Sequence, residues 1–117
     1  MKFYVGSKIH DIRVTDKSLR YLGSVSISAN IMRAAAIEPY EKVLVVNLNN
    51  GARWETYALP LEEPGHFTLN GGGARLGEIG DTCVVLTFEG KDSFEGARVV
   101  FCDENNKIVR EDKYKKL

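Results

Sequence analysis

Lys42-Val43-Leu44-Val45-Val46-Asn47-Leu48-Asn49-Asn50-Gly51-Ala52-Arg53-Trp54-Glu55-Thr56-Tyr57-Ala58-Leu59 reads as two strands around a tight turn. Asn and Gly tolerate the positive φ that a tight hairpin requires, and apolar runs on both sides supply the strands. On the second strand Arg53, Glu55 and Tyr57 share one face, while Trp54, Thr56 and Ala58 share the other. Downstream, Pro60 and Pro64 bracket an irregular connection. Phe67-Thr68-Leu69 then leads into Asn70-Gly71-Gly72-Gly73-Ala74-Arg75, a stretch whose glycines predict a loop able to bring backbone N–H groups close to a ligand. It is no nucleotide motif, having neither GxGxxG nor GxxxxGK[ST]. Thr82 to Phe88 reads as a strand, and Arg98 to Asp103 pairs with Lys107 to Arg110 across Glu104-Asn105-Asn106. The tail from Glu111 to Leu117 mixes charges and reads as a solvated or frayed end.

Upstream of the hairpin, Ser28 is an N-cap candidate for a short helix over Ala29 to Ala36, with Pro39 beyond it. Leu19 to Ile27 alternates in its later half as a strand does, interrupted by Gly23-Ser24. Phe3 to Val14 alternates as well, with breaks near Gly6 and Asp11, and Lys8 and His10 fall on one face of it. About seven short strands with one helix and no βαβ alternation indicate a small mixed barrel, a form that also removes exposed edges.

Composition limits the functions available. A chain of 117 residues forms one domain, and 44% hydrophobic with 27% charged residues is the range of a soluble globular fold. Sixteen basic and 16 acidic residues cancel, which leaves no global field for nucleic acid or anionic lipid. The longest apolar run is too short for a membrane span, and Met1 to Gly6 has no signal-peptide core, so a cytoplasmic location with no membrane partner is expected. Cys83 and Cys102 lack CxxC spacing and sit in strand-like runs, as small buried hydrophobes do. With His10 and His66 the only histidines, a metal site is not expected.

One dipeptide permits unusual chemistry. In Tyr21-Leu22-Gly23-Ser24 the serine hydroxyl is placed to attack the carbonyl before it, and glycine there removes the Cβ that would hinder a contorted backbone. The resulting ester eliminates across Cα and Cβ, which breaks the chain and leaves dehydroalanine, the precursor of a pyruvoyl group. Gly-Ser alone is common in turns.

Its context is more specific. Lys8-Ile9-His10, Tyr21-Leu22-Gly23-Ser24, Asn50-Gly51-Ala52-Arg53-Trp54-Glu55-Thr56-Tyr57-Ala58 and Asn70-Gly71-Gly72-Gly73-Ala74-Arg75 occur in one family's order and spacing. From about Lys2 to about Val100 the chain resembles bacterial aspartate 1-decarboxylase, a pyruvoyl-dependent, self-processing lyase that makes β-alanine for pantothenate and hence coenzyme A. The resemblance implies a double-psi β-barrel of about six to seven strands with one or two short helices. It also implies a homotetramer acting on L-aspartate, with no external cofactor and no nucleic-acid partner. The precursor is a single domain, 1–117, that divides into 1–23 and 24–117.

Matched position by position, the resemblance makes Ser24 the source of the pyruvoyl group that forms a Schiff base with substrate, and Gly23 the new C-terminus. Thr56 assists cleavage, and Tyr57 donates the proton after decarboxylation. Lys8 and Arg53 hold the substrate carboxylates, in keeping with the fork of Arg and the charge of Lys. His10 and Tyr21 line the pocket, as do Asn70, Gly71, Gly72 and Gly73. Because Thr56 alternates with Arg53 and Tyr57, it serves a different site from theirs, in a neighbouring protomer or around a bulge. Leu22 stands where an acidic residue is frequent, which bears on cleavage rate and on the need for a maturation factor. Gly72 and Gly73 stand where alanines are usual, which predicts a more mobile loop. The alternatives to an enzyme are a small β-barrel that binds single-stranded nucleic acid through Trp54, Phe67, Arg53 and Arg75, and a catalytically silent assembly module.

Overall fold

A computed structural model describes residues 1–117. The fold is mainly β. Its strands are β1 (Lys2–Arg13), β2 (Asp16–Ser18), β3 (Ser24–Ser28), β4 (Lys42–Asn47), β5 (Arg53–Leu61), β6 (Phe67–Asn70), β7 (Thr82–Lys91), β8 (Ala97–Cys102) and β9 (Ile108–Tyr114). One helix, α1 (Ala29–Ala35), follows β3, and a 3₁₀ turn, Gly71–Arg75, follows β6.

The expected hairpin forms: β4 and β5 are antiparallel, with Lys42 opposite Tyr57 and Val46 opposite Arg53. Gly51 takes φ +76°, and its N–H donates to the Asn47 carbonyl at 2.8 Å. The three asparagines contribute more than permissive backbones, since each side-chain oxygen accepts a main-chain N–H. Asn47 Oδ1 takes the Asn49 N–H at 2.9 Å, Asn50 Oδ1 takes that of Ala52 at 2.9 Å, and Asn49 Oδ1 reaches Thr82 on β7 at 2.8 Å.

Strand order is β2-β6-β3-β5-β4-β7-β1-β8-β9. Only Val14 and Thr15 separate β1 from β2, so the chain itself joins one end of this order to its far side and curls the sheet around one core. The junction is pinned on both sides: the Thr15 N–H donates to the Phe67 carbonyl at 2.9 Å and the Val14 N–H to that of Asp81 at 2.9 Å. Strand β5 changes partner along its length, antiparallel to β4 up to Tyr57 and parallel to β3 from Ala58. Ile9, Ile12, Ile27, Val45, Phe67 and Leu69 are wholly buried in the core. Removing a phenyl ring such as that of Phe67 costs about 3–5 kcal/mol.

The structure corrects several local expectations. There are nine strands where about six to seven were expected. Strand β2 lies in polar sequence and exists because β6 offers it a backbone partner, while β9, foreseen over Lys107 to Arg110, runs on through polar sequence to Tyr114. The breaks foreseen at Gly6 and Asp11 do not end β1; they are register shifts against β7, and Asp11 takes φ +63°, as a bulge allows. Segment 111–117 is exposed throughout, but it continues as β9 as far as Tyr114. The glycine-rich stretch after Asn70 is a 3₁₀ turn rather than an open loop. Ser28 precedes α1 without capping it: its hydroxyl donates to the Glu63 carbonyl at 2.7 Å, and α1 ends instead on left-handed Ala36. Cys83 and Cys102 are buried and unpaired, with burial pushing their thiols up to about 12 and about 11. No helix is long and apolar enough to cross a membrane.

Candidate active site

The chain turns inward at Gly23-Ser24. Leu22 is 77% exposed and Ser24 only 2%, a passage from solvent to interior within two residues. Ser24 opens β3, which is buried along its whole length between β5 and β6. Antiparallel pairing sets Ser24 opposite Asn70. The Asn70 amide nitrogen donates to Ser24 Oγ at 3.0 Å and to Ser26 Oγ at 2.9 Å, and Ser24 Oγ donates to the Leu22 carbonyl at 3.4 Å. Thus the proposed nucleophile is a buried hydroxyl fixed by an amide, next to the peptide it would attack.

The close steric fit lies across from the scissile bond. Gly71 has φ +63°, and a Cβ there would stand 2.7 Å from Gly23 Cα and 2.9 Å from its nitrogen. Only glycine meets both conditions. A Cβ at Gly23 would meet nothing within 4 Å, so packing in the resting fold does not demand glycine at 23. Gly72 faces open space, whereas a Cβ at Gly73 would lie 2.9 Å from Trp54 Nε1 of β5. The 3₁₀ turn is therefore backed by the indole and is not a free loop.

Strand β5 brings Tyr57 beside this cluster. Ala58 is the ladder partner of Val25, and both face the core, which leaves Tyr57 and Ser24 as neighbours one step earlier on the opposite face. The Tyr57 ring stacks on Tyr40, centroids 6.2 Å apart. No bulge interrupts β5 between Arg53 and Tyr57, so Thr56 stays on the other face, opposite Val43, and no hydrogen bond joins it to Gly23 or Ser24. Arg53 is exposed and makes no ion pair, because Glu55 on its own face is taken up by Lys42 at 2.6 Å. Tyr21 is also largely exposed, with its carbonyl turned toward Gly71.

Lys8 and His10 share a face, as their spacing indicates, but their contacts lie elsewhere. Lys8 Nζ donates to Tyr114 Oη at 3.3 Å, and the His10 ring stacks on Phe101 at 4.9 Å. Burial, with Lys8 and then Arg110 adding to it against Asp11, lowers the His10 pKa and favours neutral imidazole. One chain thus gathers Gly23, Ser24, Asn70, Gly71 and Tyr57, and sets Lys8 and His10 apart on β1. Sequence reasoning missed Ser26, Tyr114, Phe101 and Arg110. Ser26 carried a signal, since it alternates with Ser24 on one strand face; Phe101 and Arg110 lie in the pairing expected of 98–103 with 107–110, whereas Tyr114 depends on an extension of it that polar sequence does not announce.

Comparison with known proteins places the chain in a family. The family model described as aspartate decarboxylase matches residues 1–109. Aspartate 1-decarboxylase of Campylobacter jejuni (serotype O:6, strain 81116) is 44% identical over 114 residues, covering 94% of this chain and 90% of its own. That of Thermoanaerobacter pseudethanolicus is 44% identical over 113 residues (92% and 97%), and that of Staphylococcus epidermidis strain RP62A 42% over 114 (93% and 89%). With the match running through Gly23-Ser24, Arg53 to Tyr57 and Asn70-Gly71, this chain belongs to the aspartate decarboxylase family.

Proposed function

We propose that this enzyme removes the α-carboxylate of L-aspartate, giving β-alanine and carbon dioxide, after making its own pyruvoyl group from Ser24. The observation that carries the reading is the buried Ser24 hydroxyl, held by Asn70 directly after Gly23. The surroundings fit such a group. It needs a residue-24 position reached from a flexible, approachable peptide, and the space beside Gly23 is open. Its formation needs the serine hydroxyl held in place, which Asn70 does by donating to Ser24 Oγ at 3.0 Å.

In self-cleavage, Ser24 Oγ attacks the Gly23 carbonyl carbon, the C–N bond breaks and an ester forms. Loss of the Ser24 Cα proton then expels the Gly23 carboxylate, leaving dehydroalanine, which takes up water and releases ammonia. Once formed, the ketone supplies an electrophile for the substrate amine and a sink for the electrons left by carbon dioxide. The chain's own residues do the rest. Arg53 and Lys8 are unneutralised by any carboxylate and receive the two carboxylates of aspartate. Tyr57, neighbour to Ser24, returns the proton from its hydroxyl to the carbon that lost carbon dioxide. Thr56 assists cleavage, His10 and Tyr21 line the pocket, and Asn70 with Gly71, Gly72 and Gly73 forms its wall. Lys8 and His10 reach Ser24 from a neighbouring protomer of a homotetramer.

Intact-mass analysis tests the covalent event. Wild type should yield fragments 1–23 and 24–117, the second with a carbonyl-reactive terminus, whereas Ser24→Ala should stay whole, folded and inactive. Cleavage of purified protein on its own separates autonomous maturation from one that needs a maturation factor. Decarboxylation by an uncut chain, or by Ser24→Ala, defeats the reading.

A further inference from the structure

Lys8 is held by a neutral partner. Its ammonium donates to Tyr114 Oη at 3.3 Å, lies 5.8 Å from the centre of the same ring and makes no ion pair. A second link runs parallel to it: the Phe101 ring is stacked on one side by His10 (4.9 Å, 9° between planes), and the Arg110 guanidinium lies over it at 4.1 Å. Both links join β9 to β1 across β8, on a single face. Ladder partners show the geometry, since His10 registers with Phe101 and Phe101 with Arg110, while Lys8 registers with Val99 and Tyr114 with Ala97. Strand β9 is an exposed outer strand that bonds only to β8, and the family match ends at residue 109, before Arg110 and Tyr114.

The chemistry of the partner matters. A free lysine side chain loses rotamer freedom when it binds a substrate carboxylate, a cost that prior ordering of the side chain removes. A carboxylate partner would order that stem but cancel its charge. A phenol oxygen accepts one of the three N–H bonds and leaves two donors and the full charge. Tyr114 therefore orders Lys8 without satisfying it.

We propose that β9 is a positioning element for the substrate site, with Tyr114 holding the Lys8 ammonium extended and unneutralised for a substrate carboxylate, and Arg110 steadying His10 through Phe101. The proposal rests on Lys8 binding substrate, as read above. Tyr114 touches no reacting atom; it acts through Lys8.

The test uses the matured enzyme, with steady-state kinetics on L-aspartate and calorimetric binding of succinate, a dicarboxylate without the reacting amine. Tyr114→Phe keeps the ring and loses the acceptor; it should raise KM and the succinate Kd about three- to tenfold with kcat within about twofold. Tyr114→Glu orders Lys8 but neutralises it, and should weaken both by more. Tyr114→Gln, a neutral acceptor, should recover part of the loss seen with Tyr114→Phe. A structural role alone would lower the melting temperature of all three variants alike and would not separate Glu from Gln. If Lys8→Ala raises KM tenfold while Tyr114→Phe and Tyr114→Glu bind succinate as wild type does, the positioning role is overturned and the function stands. If Lys8→Ala changes neither KM nor Kd, the substrate role of Lys8 falls and the proposal falls with it.

Discussion

Gly71 and Gly72 are adjacent and chemically identical, yet the fold asks different things of them. An alanine at 71 would combine a left-handed φ with a Cβ 2.7 Å from Gly23 Cα, a backbone atom that cannot swing aside. Gly71→Ala should therefore cost about 1–3 kcal/mol and displace the peptide to be cut, so that both melting temperature and the rate of chain cleavage fall. Gly72→Ala meets open space and should leave melting temperature and cleavage rate unchanged in the same two assays. Equal effects at the two positions would contradict the contact between Gly71 and Gly23. Gly23-Ser24 could be singled out in the sequence because a serine after glycine has local chemistry of its own. The tight fit across from it was not, because it depends on β6 delivering Gly71 to a residue 48 positions away.

Among the elements, the β4–β5 hairpin could be read in advance because Asn-Asn-Gly fixes a turn through interactions within a few residues. Strand β2 and the outer part of β9 could not: Asp16-Lys17-Ser18 and Glu111-Asp112-Lys113 have no apolar alternation, and their strand form is imposed by β6 and β8. For the same reason Tyr114 gave no sign of its contact with Lys8, although the common face of Lys8 and His10 followed from their spacing alone. A polar link between the hairpin and β7 adds a pH dependence. Asp81 accepts from Asn47 Nδ2 at 2.8 Å and from the Glu78 N–H at 2.9 Å, bonds that hold its carboxyl below the ordinary value of 3.8, the Asn47 bond contributing most. An acid depressed on folding stabilises the fold above its unfolded pKa and loses that contribution as pH falls through the folded one. The difference in melting temperature between wild type and Asp81→Ala should be constant from about pH 7 to about pH 5 and should shrink below about pH 4. A difference that grows in acid would reverse the assignment.

For the whole molecule, the proposed supply of Lys8 and His10 from a neighbouring protomer would make assembly a condition of activity. Light scattering on the purified protein should give four times the chain mass, and dilution into monomers should abolish decarboxylation; an active monomer would show that one chain completes its own site. The position of β1 has a consequence for the molecule's history. That strand lies between β7 and β8, bonded to both, and with the residue that follows it gives Ile9, Ile12 and Val14 to the interior. The proposed scission after residue 23 would therefore turn a central stave of the fold into a separate peptide that nothing covalent retains. Before the cut, refolding is a first-order event within one chain; afterwards it is a second-order encounter between two, slowed by dilution. The proposed cut would also depend on a β3–β6 pairing that exists only in the folded state, so the mature protein would be reached in one direction. Heat should separate the pieces, and cooling a dilute sample should fail to restore what cooling the uncut Ser24→Ala chain does restore.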